Sequence, residues 1–246
     1  MTARRVLLWR HGRTAWNVER RFQGQADPPL DAVGRRQAEA AADELVAYAP
    51  VAVVSSDLAR AVDTARRLAD RLGLPLGLDP RLRERSLGHW EGLTRDEVGR
   101  LYPEDFAHWL AGREDCQAGS EPREQLAERA AAAVADTLGE TVVLVTHSAT
   151  AIALTGRLLG LPRSSWRAIG PLGNCRWSEL RHDEHGWRLR AHNLATVRAA
   201  GRATGGPDGR VGTPAEVPAD SAREAPADDP ADVEALDAGP AGTPVG

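Results

Sequence analysis

Val6-Leu7-Leu8-Trp9-Arg10-His11-Gly12-Arg13-Thr14 is the stretch from which the fold is read. Four consecutive apolar residues bounded by charge predict a short strand buried on both faces. The polar group Arg10-His11-Gly12 follows at once, so it sits at the strand's carboxyl end. Two more runs have the same form. Val51-Ala52-Val53-Val54 leads into Ser55-Ser56-Asp57, and Thr141-Val142-Val143-Leu144-Val145 leads into Thr146-His147. Helical segments separate them. Asp31 predicts a cap for a helix to about Tyr48, with Ala38, Ala41, Ala42 and Leu45 on one face. Ser55-Ser56-Asp57 offer caps for a helix to Leu72, ended by Gly73. Residues 75–92 read as irregular, Thr94 with Glu97 as a capping box, and Glu121 to Leu138 and Ala149 to Leu159 as helices. Trp177 to Leu180 and Trp187 to Ala191, parted by HDEHG, predict an antiparallel hairpin. The order predicts an α/β fold, a three-layer αβα sandwich whose central sheet is mainly parallel with an antiparallel edge hairpin. Ligands of such sheets bind beyond the carboxyl ends of the strands. All three polar clusters lie there, so a single shared site is expected.

Composition narrows the chemistry. The chain has 246 residues and a net charge of −4. From Ala203 to Gly246 it is Ala, Pro, Gly and Asp, with no aromatic residue, and two arginines stand against nine acids. That segment cannot bury enough apolar surface to offset ordering entropy, and is expected to be a disordered acidic tail of net −7. The domain proper is expected over residues 1–202, at +3. So small an excess does not argue for nucleic acid. All 31 basic residues are arginine, which excludes Schiff-base chemistry on lysine and a Walker A loop. Cys116 and Cys175 make neither a disulfide framework nor a zinc cluster. No stretch approaches a membrane span, and no signal peptide is read at the start, so a cytoplasmic location is expected. His182-Asp183-Glu184-His185 has zinc-like content but falls in a predicted turn. No metal and no organic cofactor is expected. Ser148 is not in a G-x-S-x-G elbow.

Arg10-His11-Gly12-Arg13-Thr14 with Asn17 suits phosphate. Guanidinium forks, backbone N–H groups and amide donors hold a phosphate dianion. A neutral imidazole can attack phosphorus through one nitrogen while the other keeps its proton on a fixed acceptor. Read singly, His11 would be a core histidine and Arg60 a surface arginine, while the strand-end place of His147 favours the site over the core.

In combination these strings resemble the histidine phosphatase superfamily, in its phosphoglycerate-mutase-like branch, over roughly residues 4–195. Arg10, His11, Gly12, Thr14 and Asn17 match its RHGxTxWN signature, and Phe22-Gln23-Gly24 its continuation. Ser55-Ser56-Asp57-Leu58-Ala59-Arg60-Ala61 matches the second motif, Leu82-Arg83-Glu84 with Trp90-Glu91-Gly92 the third, and Val145-Thr146-His147 the fourth. The resemblance implies that His11 carries the phosphoryl group. Arg10, Arg60 and His147 clamp its oxygens, Asn17, Gln23 and Gly24 complete the binding loop, and Glu84 serves as acid and then base. Glu91 competes with Glu84 for that role, and only the family pattern selects Glu84. Where the family has His-Gly-Gly this chain has His147-Ser148-Ala149, so Ser148 adds a side chain at the site.

The implied activity is hydrolysis of a small phosphate monoester. The alternatives are a cofactor-dependent phosphoglycerate mutase and a non-catalytic protein that binds a phosphorylated ligand. Mutases resembling this chain carry a long insertion with Lys and paired Arg between the third and fourth motifs. Here Glu84 to His147 spans 63 residues without either, which favours the phosphatase. The FQGQ and VSSDLARAVDTA strings, with Gly173-Asn174 before Trp177, look like family members that act on sugar-phosphoglycerates. The expected partner is a small phosphorylated metabolite, with no nucleic acid and no membrane; a homodimer is compatible with the sequence.

Overall fold

Leu7 and Trp9 face one side of the sheet and Val6 and Leu8 the other, and all four are fully buried. That is why the strand reads as an unbroken apolar run rather than an alternating one. The computed structural model describes residues 3–111, 113 and 119–196. The segment 203–246 and Cys116 lie outside the described residues.

The strands are β1 (Arg5–Arg10), β2 (Ala52–Ser55), β3 (Leu76–Leu78), β4 (Thr141–Thr146), β5 (Trp177–Asp183) and β6 (Gly186–Leu194). They form one sheet in the order β3-β2-β4-β1-β5-β6. The first four are parallel, and β5 and β6 are the antiparallel edge. The helices are α1 (Ala15–Val18), α2 (Ala32–Leu45), α3 (Ala59–Leu72), α4 (Arg95–Leu101), α5 (Pro103–Leu110), α6 (Arg123–Asp136) and α7 (Ser148–Leu158). On one face Leu7, Trp9, Val53, Val143 and Val145 pack against Ala38, Ala41 and Leu45 of α2 and Ala61, Ala65 and Leu68 of α3. On the other, Val6, Leu8, Val142 and Leu144 meet Ala130, Ala133 and Val134 of α6 and Ala151 and Leu154 of α7. The many alanines let both helix pairs lie close on the sheet. No helix among the described residues is long and apolar enough to cross a membrane.

The three-layer expectation holds, with local corrections. Residues 75–92 are not wholly irregular, because Leu76–Leu78 pairs with Val53–Ser55 as an edge strand. α3 is not capped by the serines as expected. Its first amide, Ala59 N, donates to Asp27 Oδ2 at 3.0 Å, and Ser56 Oγ accepts from Leu58 N. The helix α5 had no sequence reading of its own. The hairpin strands run into HDEHG, leaving Glu184-His185 as the turn. There Asp183 accepts from His185 N and faces Arg188, and the His182 ring packs on Trp187.

Register brings the polar clusters together. Arg10 on β1 is paired with Thr146 on β4, so His11 and His147 leave the sheet side by side. Ser55 on β2 is paired with Val145, which brings Ser56 alongside.

Candidate active site

The loop after β1 is fixed from both helices beneath it. Gly12 N donates to Thr64 Oγ1 on α3, and Arg13 N to Gln37 Oε1 on α2, both at 3.0 Å. Arg13 pairs with Asp31, whose other carboxylate oxygen caps α2 at Gly34 N. The loop and α2 touch so closely that only glycine fits on either side. A Cβ on Gly12 would lie 2.5 Å from the Gly34 carbonyl oxygen, and one on Gly34 would overlap the Arg13 backbone. Thr14 caps α1 in a reciprocal box with Asn17, and Asn17 Oδ1 accepts from Thr14 N at 3.0 Å. That bond orients the Asn17 amide.

His11 is 3% exposed, and its Nδ1 lies 2.7 Å from the Gly12 carbonyl oxygen. A carbonyl can only accept, so Nδ1 carries the proton and Nε2 keeps its lone pair. Burial holds the His11 pKa well below the usual histidine value, and the charges of Arg60 and Arg10 push it further down. His11 is therefore a neutral imidazole at pH 7. The His147 ring centroid is 5.1 Å from that of His11, and His147 Nε2 meets Ser56 Oγ at 2.9 Å. Its pKa is likewise held well down, by burial first and then by Arg60.

Arg60 is completely buried. Its Nη1 donates to Ala26 O at 2.6 Å and its Nη2 to Gly24 O at 2.8 Å, with Asp27 3.6 Å away. Burial lowers its pKa to about 10, so it stays cationic at neutral pH. The 24–26 loop that holds it is itself held by Glu91. The Glu91 carboxylate accepts from Gln25 N at 3.0 Å, Ala26 N at 3.1 Å and Leu87 N at 2.9 Å. Glu91 is thus a latch between two loops and does not line the cavity. Glu84 does line it. Its carboxylate accepts from Ala149 N and Thr150 N at the start of α7, from Thr150 Oγ1 and from Arg85 N. Arg10 Nη1 donates to Leu172 O at 2.6 Å. Burial pushes the Cys175 thiol up, which makes it a poor competing nucleophile.

Of the residues singled out from sequence, Arg10, His11, Asn17, Gln23, Gly24, Arg60 and Glu84 line one cavity of about 140 Å³. His147 is not in its wall; it lies against His11, between that ring and Ser56. Sequence reasoning missed most of the rest of the wall. Arg20, Arg21, Arg85, Arg95 and Arg123 add to Arg10 and Arg60, with Glu84 as the one carboxylate among the described lining residues. Trp16, Phe22, Leu87, Trp109, Ile152 and Pro171 form an apolar side. These residues come from loops and short helices with no common periodicity, so only the excess of arginine hinted at them.

An α/β sheet with a neutral, tautomer-locked histidine at the end of its first strand, inside an arginine-rich cavity, defines a protein that handles anionic phosphate groups. The chain belongs to the histidine phosphatase superfamily (branch 1), whose family model matches residues 6–195. It is 40% identical to the glucosyl-3-phosphoglycerate phosphatase of Mycolicibacterium vanbaalenii over 191 residues, covering 73% of this chain and 85% of the relative. It is 37% identical to a protein of an Enterobacter strain named "Probable phosphoglycerate mutase", covering 74% and 86%. The solved structure of mycobacterial glucosyl-3-phosphoglycerate phosphatase in complex with VO3 superposes with a TM-score of 0.72 at 39% identity, covering 78% of this chain and all of that one.

Proposed function

We propose that this protein is a metal-independent phosphatase that hydrolyses a small phosphate monoester through a phosphohistidine at His11. The observation that carries the reading is the bond from His11 Nδ1 to the Gly12 carbonyl, because it aims a neutral lone pair on Nε2 into a cationic cavity. In the first step Nε2 attacks phosphorus while the bond to the leaving oxygen breaks. Glu84, as the carboxylic acid, gives its proton to that oxygen. In the second step Glu84, now a carboxylate, takes a proton from water as the water oxygen attacks phosphorus and the N–P bond breaks. Arg10 and Arg60 offset the charge of the phosphoryl group, Asn17, Gln23 and Gly24 line the cavity beside them as neutral partners, and His147 backs the His11 ring, so that positioning and charge do most of what phosphoryl transfer asks of a protein.

For the substrate we propose a sugar-phosphoglycerate. Likeness to the glucosyl-3-phosphoglycerate phosphatases supports this. So does a cavity with arginines for a second anionic group and Trp16 and Trp109 for the apolar face of a sugar. The catalytic domain in this proposal is residues 1–202, with 203–246 as an appended acidic tail.

The test is phosphate release in EDTA from a panel that includes glucosyl-3-phosphoglycerate and 3-phosphoglycerate, with His11→Ala beside the wild type. Release that persists in EDTA and vanishes in His11→Ala is the expected result. Isomerisation of 3-phosphoglycerate without phosphate release would replace the phosphatase by a mutase, the reading that the Enterobacter relative's name favours.

A further inference from the structure

Buried polar groups almost always find a partner, since leaving one unsatisfied forfeits its hydration with nothing in return. Ser148 departs from this rule. It is 6% exposed, it lines the cavity together with Arg10 and His11, and its hydroxyl is buried with no hydrogen-bond partner among the described residues. Two other such orphans, Arg60 Nε and His147 Nδ1, belong to neighbours at the same site. Ser148 is also the first residue of α7, an 11-residue helix whose N-cap is His147. The next two amides, Ala149 N and Thr150 N, are already spent on the Glu84 carboxylate. The start of α7 therefore presents to the cavity a hydroxyl with no partner among the described residues, next to the positive end of a helix dipole.

We propose that Ser148 is a phosphate-binding residue, its hydroxyl donating to a non-bridging oxygen of the phosphoryl group held beside His11 and Arg10. This rests on the phosphatase reading for its ligand, but not for its geometry. The hydroxyl has no protein partner among the described residues, and phosphate bound beside His11 and Arg10 gives it one. Its loss should therefore weaken phosphate binding without lowering the stability of the free protein, which separates it from a structural serine.

The experiment uses the full-length chain with inorganic phosphate as the probe. Binding is measured by calorimetry and stability by thermal unfolding without phosphate, for wild type, Ser148→Ala and Ser148→Gly. Ser148→Ala is expected to unfold at the same temperature or higher, because it removes an unpaired buried hydroxyl. Its phosphate affinity is expected to fall by about tenfold, the weight of a hydrogen bond to a charged group. Ser148→Gly should lose the same affinity while also losing stability from a helix glycine. Wild-type affinity in Ser148→Ala overturns the proposal, and a lower unfolding temperature with unchanged affinity shows the hydroxyl to be structural. If wild type binds phosphate but hydrolyses no ester, the phosphatase reading fails while the binding result still decides the role of Ser148.

Discussion

His11 and His147 are both buried beside Arg60 and Arg10, and both are kept neutral by that setting. The consequence for stability can be worked out. In the unfolded chain each imidazole protonates with a pKa of about 6.5. In the folded chain each resists protonation until well below that. Between these limits the unfolded state binds more protons than the folded one, so stability falls as pH falls. At about pH 5.5 an unfolded histidine is roughly 90% protonated, and each locked imidazole then lowers stability by roughly 1 kcal/mol relative to neutral pH. Both act in the same direction over this window. The carboxylates with depressed pKa, Asp57, Asp79 and Glu179, act in a separate and more acidic window. The assay is guanidinium unfolding at pH values from neutral to mildly acidic, for wild type, His11→Asn and His147→Gln. Asn places an amide N–H near Nδ1, able to donate to the Gly12 carbonyl, and Gln reaches toward Ser56 Oγ in place of Nε2. Each variant should lose one histidine's share of the slope, which grows as pH falls and approaches roughly 1.4 kcal/mol per pH unit only at the acidic end of the range. If His11→Asn shows the wild-type pH dependence over this range, His11 titrates normally in the folded protein and the neutral-nucleophile argument is wrong; the same result for His147→Gln would show that His147 is not held neutral.

Other outcomes follow from the same contacts. Glu91→Ala should leave Gln25 N, Ala26 N and Leu87 N without an acceptor and loosen the loop whose carbonyls hold Arg60; activity should fall at least tenfold, with the loss mainly in kcat/KM. Arg60→Lys keeps the charge but cannot span Gly24 O and Ala26 O with a planar fork, so kcat should fall by about 100-fold or more, measured by steady-state hydrolysis. Gly34→Ala would drive a methyl into the Arg13 backbone and should cost about 2 kcal/mol or more by denaturant unfolding, with activity lost in parallel because the Gly12 loop rests there.

What the sequence disclosed has a physical pattern. β1 and β4 were legible because burial on both faces leaves an unbroken apolar run, and their carboxyl ends were legible because Arg10, His11 and His147 break that run abruptly. Neither condition holds for β3, whose residues are partly exposed at the sheet edge. The start of α3 was misread because its cap, Asp27, lies 32 residues upstream of Ala59 and only the fold brings them together. The helix α5 buries its aromatic residues in a small cluster with Phe22 and Trp90, apart from the sheet, so no core pattern announces it. Arg10, His11, Arg60 and Glu84 were singled out because four motifs in order carried them, and the fold brings them to one cavity. Nothing in the strings RHG and HSA, however, says that Nδ1 is committed to the Gly12 carbonyl or that the Ser148 hydroxyl has no partner among the described residues. Those are facts of placement.

The central claim is that phosphorus is bonded to His11 Nε2 during turnover. The direct measurement is rapid quench into base during hydrolysis of a good substrate, followed by mass spectrometry of the peptide that contains His11. The account predicts a single phosphoryl group on His11, stable in base and labile in acid, formed and lost fast enough to lie on the catalytic path. Turnover with no phosphorylated His11 peptide at any time point, or with inversion of configuration at phosphorus as in one direct displacement by water, would contradict it.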